Sequence, residues 1–139
     1  MQMFVINENR DKPDLWKILS INNPDGSARM DGRYPARLGC IVAILNISIG
    51  EQLVWGYVAD ASDKKKHGYR KSGTINTVSY DPTTEVLYAE SKHSHYRLKK
   101  LTEKWGDIYA DRSISLPDWY PDALGAIPLS VPIEPIFSP

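Results

Sequence analysis

The strongest constraint on the fold is an apolar run that one turn interrupts. The run "CIVAILNI" covers residues 40 to 47, and "LVWGYV" follows at 53 to 58 after Gly50-Glu51-Gln52. β-Branched residues dominate the first run, which is typical of a buried strand. We predict two strands joined by a tight turn, the first buried on both faces. A core helix is the alternative, because length alone does not exclude it. Gly56 predicts a bulge or a close backbone approach in the second strand.

A second group of segments has the pattern of further strands. "MFVIN" at 3 to 7 is rich in apolar and β-branched residues, and "DLWKILSI" at 14 to 21 favours a strand over a short helix. Residues 74–98 predict a three-stranded antiparallel meander with a turn at 81–84. In its last strand, Tyr96 and Leu98 share one face.

The C-terminal third is expected to contain a helix and an extended arm. Apolar residues at helical spacing predict a helix between residues 98 and 109. Six of the ten prolines lie after residue 116, so no regular helix runs through 117–139. We predict a mainly β (α+β) fold, a small barrel or curved antiparallel sheet with one or two helices. Residues 1–116 form its single domain, and 117–139 form a proline-rich arm packed on the body or on a partner.

The composition excludes several classes of protein. The 139 residues include 17 basic and 17 acidic side chains, so the formal net charge is zero and the chain is not a polycation. The single cysteine, Cys40, excludes an internal disulfide and a cysteine-based zinc cluster. The N-terminus lacks a signal-peptide pattern, and the apolar run at 38–50 is too short to span a bilayer. We expect a cytoplasmic protein with no membrane segment and no cofactor.

The zero net charge conceals a segregation of charge. Residues 64–104 contain ten basic and four acidic residues, and the rest of the chain contains seven basic and thirteen acidic residues. In a meander, the loops 62–73 and 91–100 approach the same end of the sheet. Lysine and arginine attract phosphate, and tyrosine rings stack on bases. The sequence therefore predicts a nucleic-acid or anion site formed by Lys64, Lys65, Lys66, Tyr69, Arg70, Lys71, Lys92, Tyr96 and Arg97. The alternative is a solvated sheet edge protected by lysines.

The histidines are weak catalytic candidates. His93 and His95 are two residues apart, so on a strand they would point to the same side. With His67 they offer a general acid and a general base for metal-independent cleavage of a phosphodiester. The surrounding positive charge disfavours a dication, so we predict no metal site. A histidine pair without a role is the alternative.

These observations favour a binding protein over an enzyme. The first hypothesis is a small cytoplasmic module that binds nucleic acid or another phosphate-rich ligand through its basic loops. The second is a protein–protein interaction or inhibitor protein, or a homo-oligomer, that uses residues 117–139. The third is a metal-independent nuclease. The strands that end in "HYRL" are similar in outline to short bacterial or phage β-domains, a similarity that implies no function.

Overall fold

The structure is a computed structural model that describes residues 2–8, 12–32, 34–58, 68–109, 117, 119 and 129–133. Lys64, Lys65, Lys66 and His67, all predicted site residues, lie outside the described residues. The elements in chain order are β1 (Met3–Ile6), β2 (Leu15–Asn22), α1 (Tyr34–Arg37), β3 (Ile41–Asn46), β4 (Gln52–Tyr57), β5 (Tyr69–Asp81), β6 (Val86–Ser91), β7 (His95–Lys100), α2 (Trp105–Tyr109) and β8 (Leu129–Pro132).

Six antiparallel strands form a closed barrel in the order β2-β3-β4-β5-β6-β7, and β7 pairs back onto β2. This confirms the predicted fold class of a mainly β protein with a small barrel and short helices. The β3–β4 hairpin and the β5–β6–β7 meander both have the predicted order. Among the described residues, neither helix has the length and apolar character that a membrane crossing requires.

The barrel interior is filled by side chains that alternate along each strand. Trp16 and Trp55 are fully buried there, together with Ile44, Leu87 and Leu98. Tyr96 lies on the same face as Leu98, as the period of two predicted. Burial of this apolar surface is the main favourable contribution to the stability of the barrel.

The second apolar cluster lies on the outer face of β3 and β4, so β3 is buried on both sides as expected. It contains Ala43, Val58, Trp105 and Trp119. The Trp119 ring lies directly on Gly56, and a Cβ there would come within 2.3 Å of its Cε2 atom. The predicted close approach at Gly56 is therefore confirmed.

A two-stranded ribbon of β1 and β8 packs against the barrel. Val131 and Ile6 are fully buried, and Phe4 stacks on Tyr80 at a ring-centroid distance of 3.9 Å. Thus the described part of the C-terminal segment packs on the body. The division at residue 116 stays a prediction, because most of residues 117–139 lie outside the described residues.

Two element boundaries differ from the sequence prediction. β7 continues to Lys100, and the helix is confined to Trp105–Tyr109, so the helix expected from residue 98 is wrong in its first half. Strand pairing of β7 with both β2 and β6 explains this difference. β5 begins at Tyr69, so the last residues of the predicted loop 62–73 belong to a strand.

Candidate functional site

A cleft opens where the turn between β6 and β7 meets the middle of β5 and the long loop between β2 and β3. Its volume is about 550 Å³. Its lining residues are Arg29, Tyr34, Gly73, Thr74, Asn76, Ser91, Lys92, His93, Ser94 and Tyr96. Among the described residues that line it, none carries a carboxylate. The cleft therefore combines positive charge, hydroxyl and amide groups, and aromatic surface.

Arg29 connects the two walls of the cleft. Its Nε atom lies 3.0 Å from Oδ1 of Asp31 in the same loop. Its Nη1 atom donates to the hydroxyl of Ser94 and, at 3.4 Å, to the carbonyl of His93 in the opposite turn. Hydrogen bonding to Arg29 lowers the pKa of Asp31, which keeps that carboxylate charged. Arg29 thus mainly holds the loop and the turn together, and Asp31 balances part of its charge.

The loop wall carries a second guanidinium. The Cζ atoms of Arg29 and Arg37 lie 4.1 Å and 4.8 Å from the centroid of the Tyr34 ring. Both distances are within the range of cation–π contacts. No carboxylate of the described residues forms an ion pair with Arg37, so none of these residues balances its charge. Among the described residues, the wall around Tyr34 therefore has excess positive charge.

The β6–β7 turn presents Lys92 and His93. Backbone N–H of Ser91 donates to the Ser94 carbonyl at 2.8 Å, and backbone N–H of Ser94 donates to the Ser91 hydroxyl at 3.2 Å. These bonds close the turn, and both residues at its tip are exposed. Within the described part of the chain, Lys92 has no ion-pair partner. The turn therefore holds an available cation at the rim of the cleft.

Asn76 enters the cleft because β5 is irregular at this point. Ile75 pairs with Ser91 and Thr77 pairs with Glu90, so Asn76 is the extra residue of a β-bulge. A bulge redirects a side chain out of the regular alternation, and bulges are common beside functional sites. Asn76 is exposed, and its amide offers both a donor and an acceptor to a ligand.

The two histidines do not form the expected pair. His93 belongs to the turn and lines the cleft, whereas His95 is the first residue of β7. The Nδ1 atom of His95 lies 3.0 Å from Oε2 of Glu90, and Thr77 donates to the other oxygen of that carboxylate at 2.6 Å. The prediction that both imidazoles share one strand face is therefore wrong, because His93 is not on the strand.

Tyr96 is buried, whereas its predicted role in stacking on a base requires an exposed ring. It is only 4% exposed, and its ring packs edge-on against Trp55 at a centroid distance of 5.7 Å. Burial raises the pKa of the phenol. Only a small part of Tyr96 borders the cleft, so its ring face is not available to a base. The stacking role predicted for Tyr96 is therefore wrong.

The remaining predicted residues lie on two other parts of the barrel surface. Tyr69, Arg70 and Lys71 begin β5 beside β4, with the Lys71 ammonium 5.8 Å from the Tyr69 centroid. Arg70 precedes Ile75, the first residue paired with β6, by a distance of about 16 Å along the strand. Arg97 lies on the outer face of β7, 5.5 Å from the Tyr88 centroid. The single cluster expected from loops 62–73 and 91–100 is therefore not formed by the described residues.

Sequence reasoning missed Arg29, Tyr34, Arg37, Thr74 and Asn76 as residues of the cleft or its wall. Arg29, Arg33 and Arg37 follow one another at intervals of four, which was an available signal. It was hidden because the loop also contains Asp25 and Asp31, so its net charge is small. Nothing local in the sequence indicated that this loop would meet the β6–β7 turn.

Within the described ranges, no three histidine, cysteine or acidic side chains come together in a way that would hold a metal ion. Comparison with family models, curated proteins and solved structures gave no match to this chain. Function is therefore inferred from the cleft and its surroundings.

Proposed function

We propose that this protein is a small binding module for nucleic acid or another phosphate-rich ligand, and that the cleft holds an anionic group of that ligand. The observation that supports this best is the lining of the cleft. It has cationic and hydrogen-bonding groups with no carboxylate among its described lining residues. Lys92 and Arg37 have no ion-pair partner among the described residues, so binding an anion there breaks no existing ion pair.

The shape of the cleft agrees with a ligand of nucleotide size. Its volume of about 550 Å³ falls in the range of about 300–1,000 Å³ that is typical of small-ligand sites. Tyr34 supplies an aromatic ring, and Asn76 and Thr74 supply exposed polar groups. A phosphate at Lys92 with a base or sugar deeper in the cleft uses each of these groups.

Fluorescence anisotropy with labelled single-stranded RNA and duplex DNA at two salt concentrations tests the proposal. Phosphate binding releases counterions, so affinity is expected to fall steeply as salt rises. Lys92→Glu is expected to weaken binding at low salt and to reduce the salt dependence. The matched control is Lys104→Glu, the same charge change at an exposed lysine that precedes α2. The control is expected to bind like the wild-type protein.

The same samples on a denaturing gel test the nuclease hypothesis. Intact nucleic acid with salt-dependent binding supports the binding module, whereas cleavage that is lost in His93→Ala would assign a catalytic role to that residue. Absence of binding at low salt, or equal weakening by both lysine variants, would overturn the proposal. The interaction-protein hypothesis for residues 117–139 and the cytoplasmic location stay predictions.

A further inference from the structure

We infer that the ligand is a single-stranded nucleic acid, and that it runs from the cleft across the outer face of β6 and β7, where one base stacks on Tyr88 and Arg97. This inference rests on the proposed function and adds the strandedness of the ligand and its path. It depends on the register of the strands, the exposure of their outer side chains and the size of the cleft.

The cleft itself favours an unpaired nucleotide over a duplex. The cleft has a volume of only about 550 Å³, so it cannot enclose a double helix, whose major groove alone is about 12 Å wide. Unpaired bases, in contrast, can leave the stack, enter pockets and offer their hydrogen-bonding edges to side chains. The exposed amide of Asn76 lines the cleft, where it can form hydrogen bonds with the edge of an unpaired base.

The outer face beyond the cleft has basic side chains at regular intervals. His95, Arg97 and Lys99 alternate with the inward residues Tyr96 and Leu98, so they project outward at intervals of about 6.7 Å. This interval is similar to the length of one nucleotide in an extended strand. A strand that leaves the cleft along β7 therefore meets a new side chain of this row with each nucleotide.

Tyr88 provides the stacking surface on this path. It pairs with Arg97 across β6 and β7, two residues beyond the Glu90–His95 pair that borders the turn. Tyr88 is half-buried, and the exposed Arg97 has its Cζ atom 5.5 Å from the ring centroid. Bases stack on both tyrosine rings and guanidinium planes. This pair therefore forms an aromatic and cationic surface of the kind that single-stranded ligands use.

The charge along the path supports an anionic occupant. Lys17 lies directly opposite Lys99 on adjacent strands, an arrangement of like charges that destabilises a sheet. Glu85 pairs with Lys99 at 3.3 Å, but Lys17 has no ion-pair partner in the described part of the chain. Glu90, a second carboxylate beside the path, is bound by His95 and Thr77. A phosphate near Lys17 relieves the repulsion.

The test is anisotropy with a labelled oligothymidine of about eight nucleotides and with a duplex of the same length. The wild-type protein is expected to bind the single strand more tightly than the duplex. Tyr88→Ala is expected to weaken single-strand binding at least about fivefold, the lower end of the loss of one stacked base. Tyr88→Phe keeps the ring and is expected to retain wild-type affinity. Arg97→Gln, at an exposed position, is a second variant that does not depend on the folding of Tyr88→Ala.

The outcomes separate this inference from the proposed function. If Lys92→Glu weakens binding while Tyr88→Ala and Arg97→Gln bind like wild type, the path is wrong and the cleft is retained. Equal affinity for duplex and single strand would also overturn the inference alone. If the wild-type protein binds neither probe at low salt, both proposals fail. Loss of affinity in Tyr88→Ala and Arg97→Gln, with retention in Tyr88→Phe, supports the path.

Discussion

The contact between Gly56 and Trp119 gives a quantitative test of the packing. A methyl group at position 56 would lie 2.3 Å from Cε2 of Trp119, whereas carbon atoms in contact need about 3.5–4.0 Å. The ring cannot move away freely, because its Nε1–H donates to the Tyr57 carbonyl at 3.0 Å and Trp105 packs against it. We therefore expect Gly56→Ala to lower the free energy of unfolding by about 1–3 kcal/mol, the usual cost of overpacking.

A double-mutant cycle isolates this contact. Trp119 is only 3% exposed, so Trp119→Ala should lower the free energy of unfolding by about 3–5 kcal/mol. Once the ring is absent, Gly56→Ala no longer meets an obstacle. It should then be neutral or stabilise by up to about 1 kcal/mol, since alanine restricts the unfolded chain. The expected coupling free energy is therefore about 1–3 kcal/mol or somewhat more.

Urea denaturation followed by far-UV circular dichroism measures the free energy of unfolding of the wild-type protein, the two single variants and the double variant. Gly106→Ala is the matched control, because a Cβ at that position in α2 has no neighbour within 4 Å. It is expected to stabilise the protein by up to about 1 kcal/mol, through helix propensity. If Gly56→Ala has the same cost with and without Trp119, the contact does not determine the effect and the packing argument is refuted.

Three further changes test other parts of the structure. Asn7→Ala should lower the free energy of unfolding by about 1–3 kcal/mol in urea denaturation, because the buried Asn7 amide donates to the Ile44 carbonyl at 2.7 Å. A loss below about 0.5 kcal/mol, the usual surface effect, would contradict this. Burial raises the pKa of Tyr96, so the unfolded state loses this proton first and stability should fall as pH rises above about 10. The fall in melting temperature between about pH 8 and pH 11 should be smaller in Tyr96→Phe; an unchanged slope would count against the burial argument. Ser72→Ala should cost about 1–3 kcal/mol by the same urea assay, because its hydroxyl accepts from the Leu53 N–H at 2.9 Å. Wild-type stability of that variant would show that the bond is dispensable.

The regular parts of the barrel could be predicted from the sequence, because their side chains follow a local periodicity. Alternation along "HYRLKK" correctly placed Tyr96 and Leu98 on one face. The same alternation argued against a stacking role for Tyr96, since a face that carries Leu98 points to the core. Helical spacing after residue 98 failed because Leu98 belongs to the barrel interior, whereas Leu101 packs with the outer cluster. A residue inside the barrel and a residue beyond the end of β7 thus have the spacing of one helical face.

The cleft could not be predicted from local sequence patterns, because its walls are distant in sequence. Arg29 and Ser94, which join the walls, are separated by 65 residues. The side chain of Asn76 enters the cleft through a bulge, and a single-residue bulge leaves no clear period in the sequence. The spacing of His93 and His95 indicates a shared face only where both residues lie on a strand, and no local pattern marks His95 as the first residue of β7. Charge counts located the basic middle of the chain but not the arrangement of its side chains.

The position of the cleft follows from the way two long strands are shared between neighbours. β5 pairs with β4 up to Thr74 and with β6 from Ile75 onward. β2 pairs with β3 only over residues 15–17, and it pairs with β7 over residues 16–22. The turn after β6 therefore meets β5 in its middle, and the loop after β2 closes over the same place. Functional groups on loops above a rigid sheet can vary while the core is kept. The proposed binding at this cleft thus requires no change in the barrel interior, and variants such as Lys92→Glu should alter affinity without altering the fold.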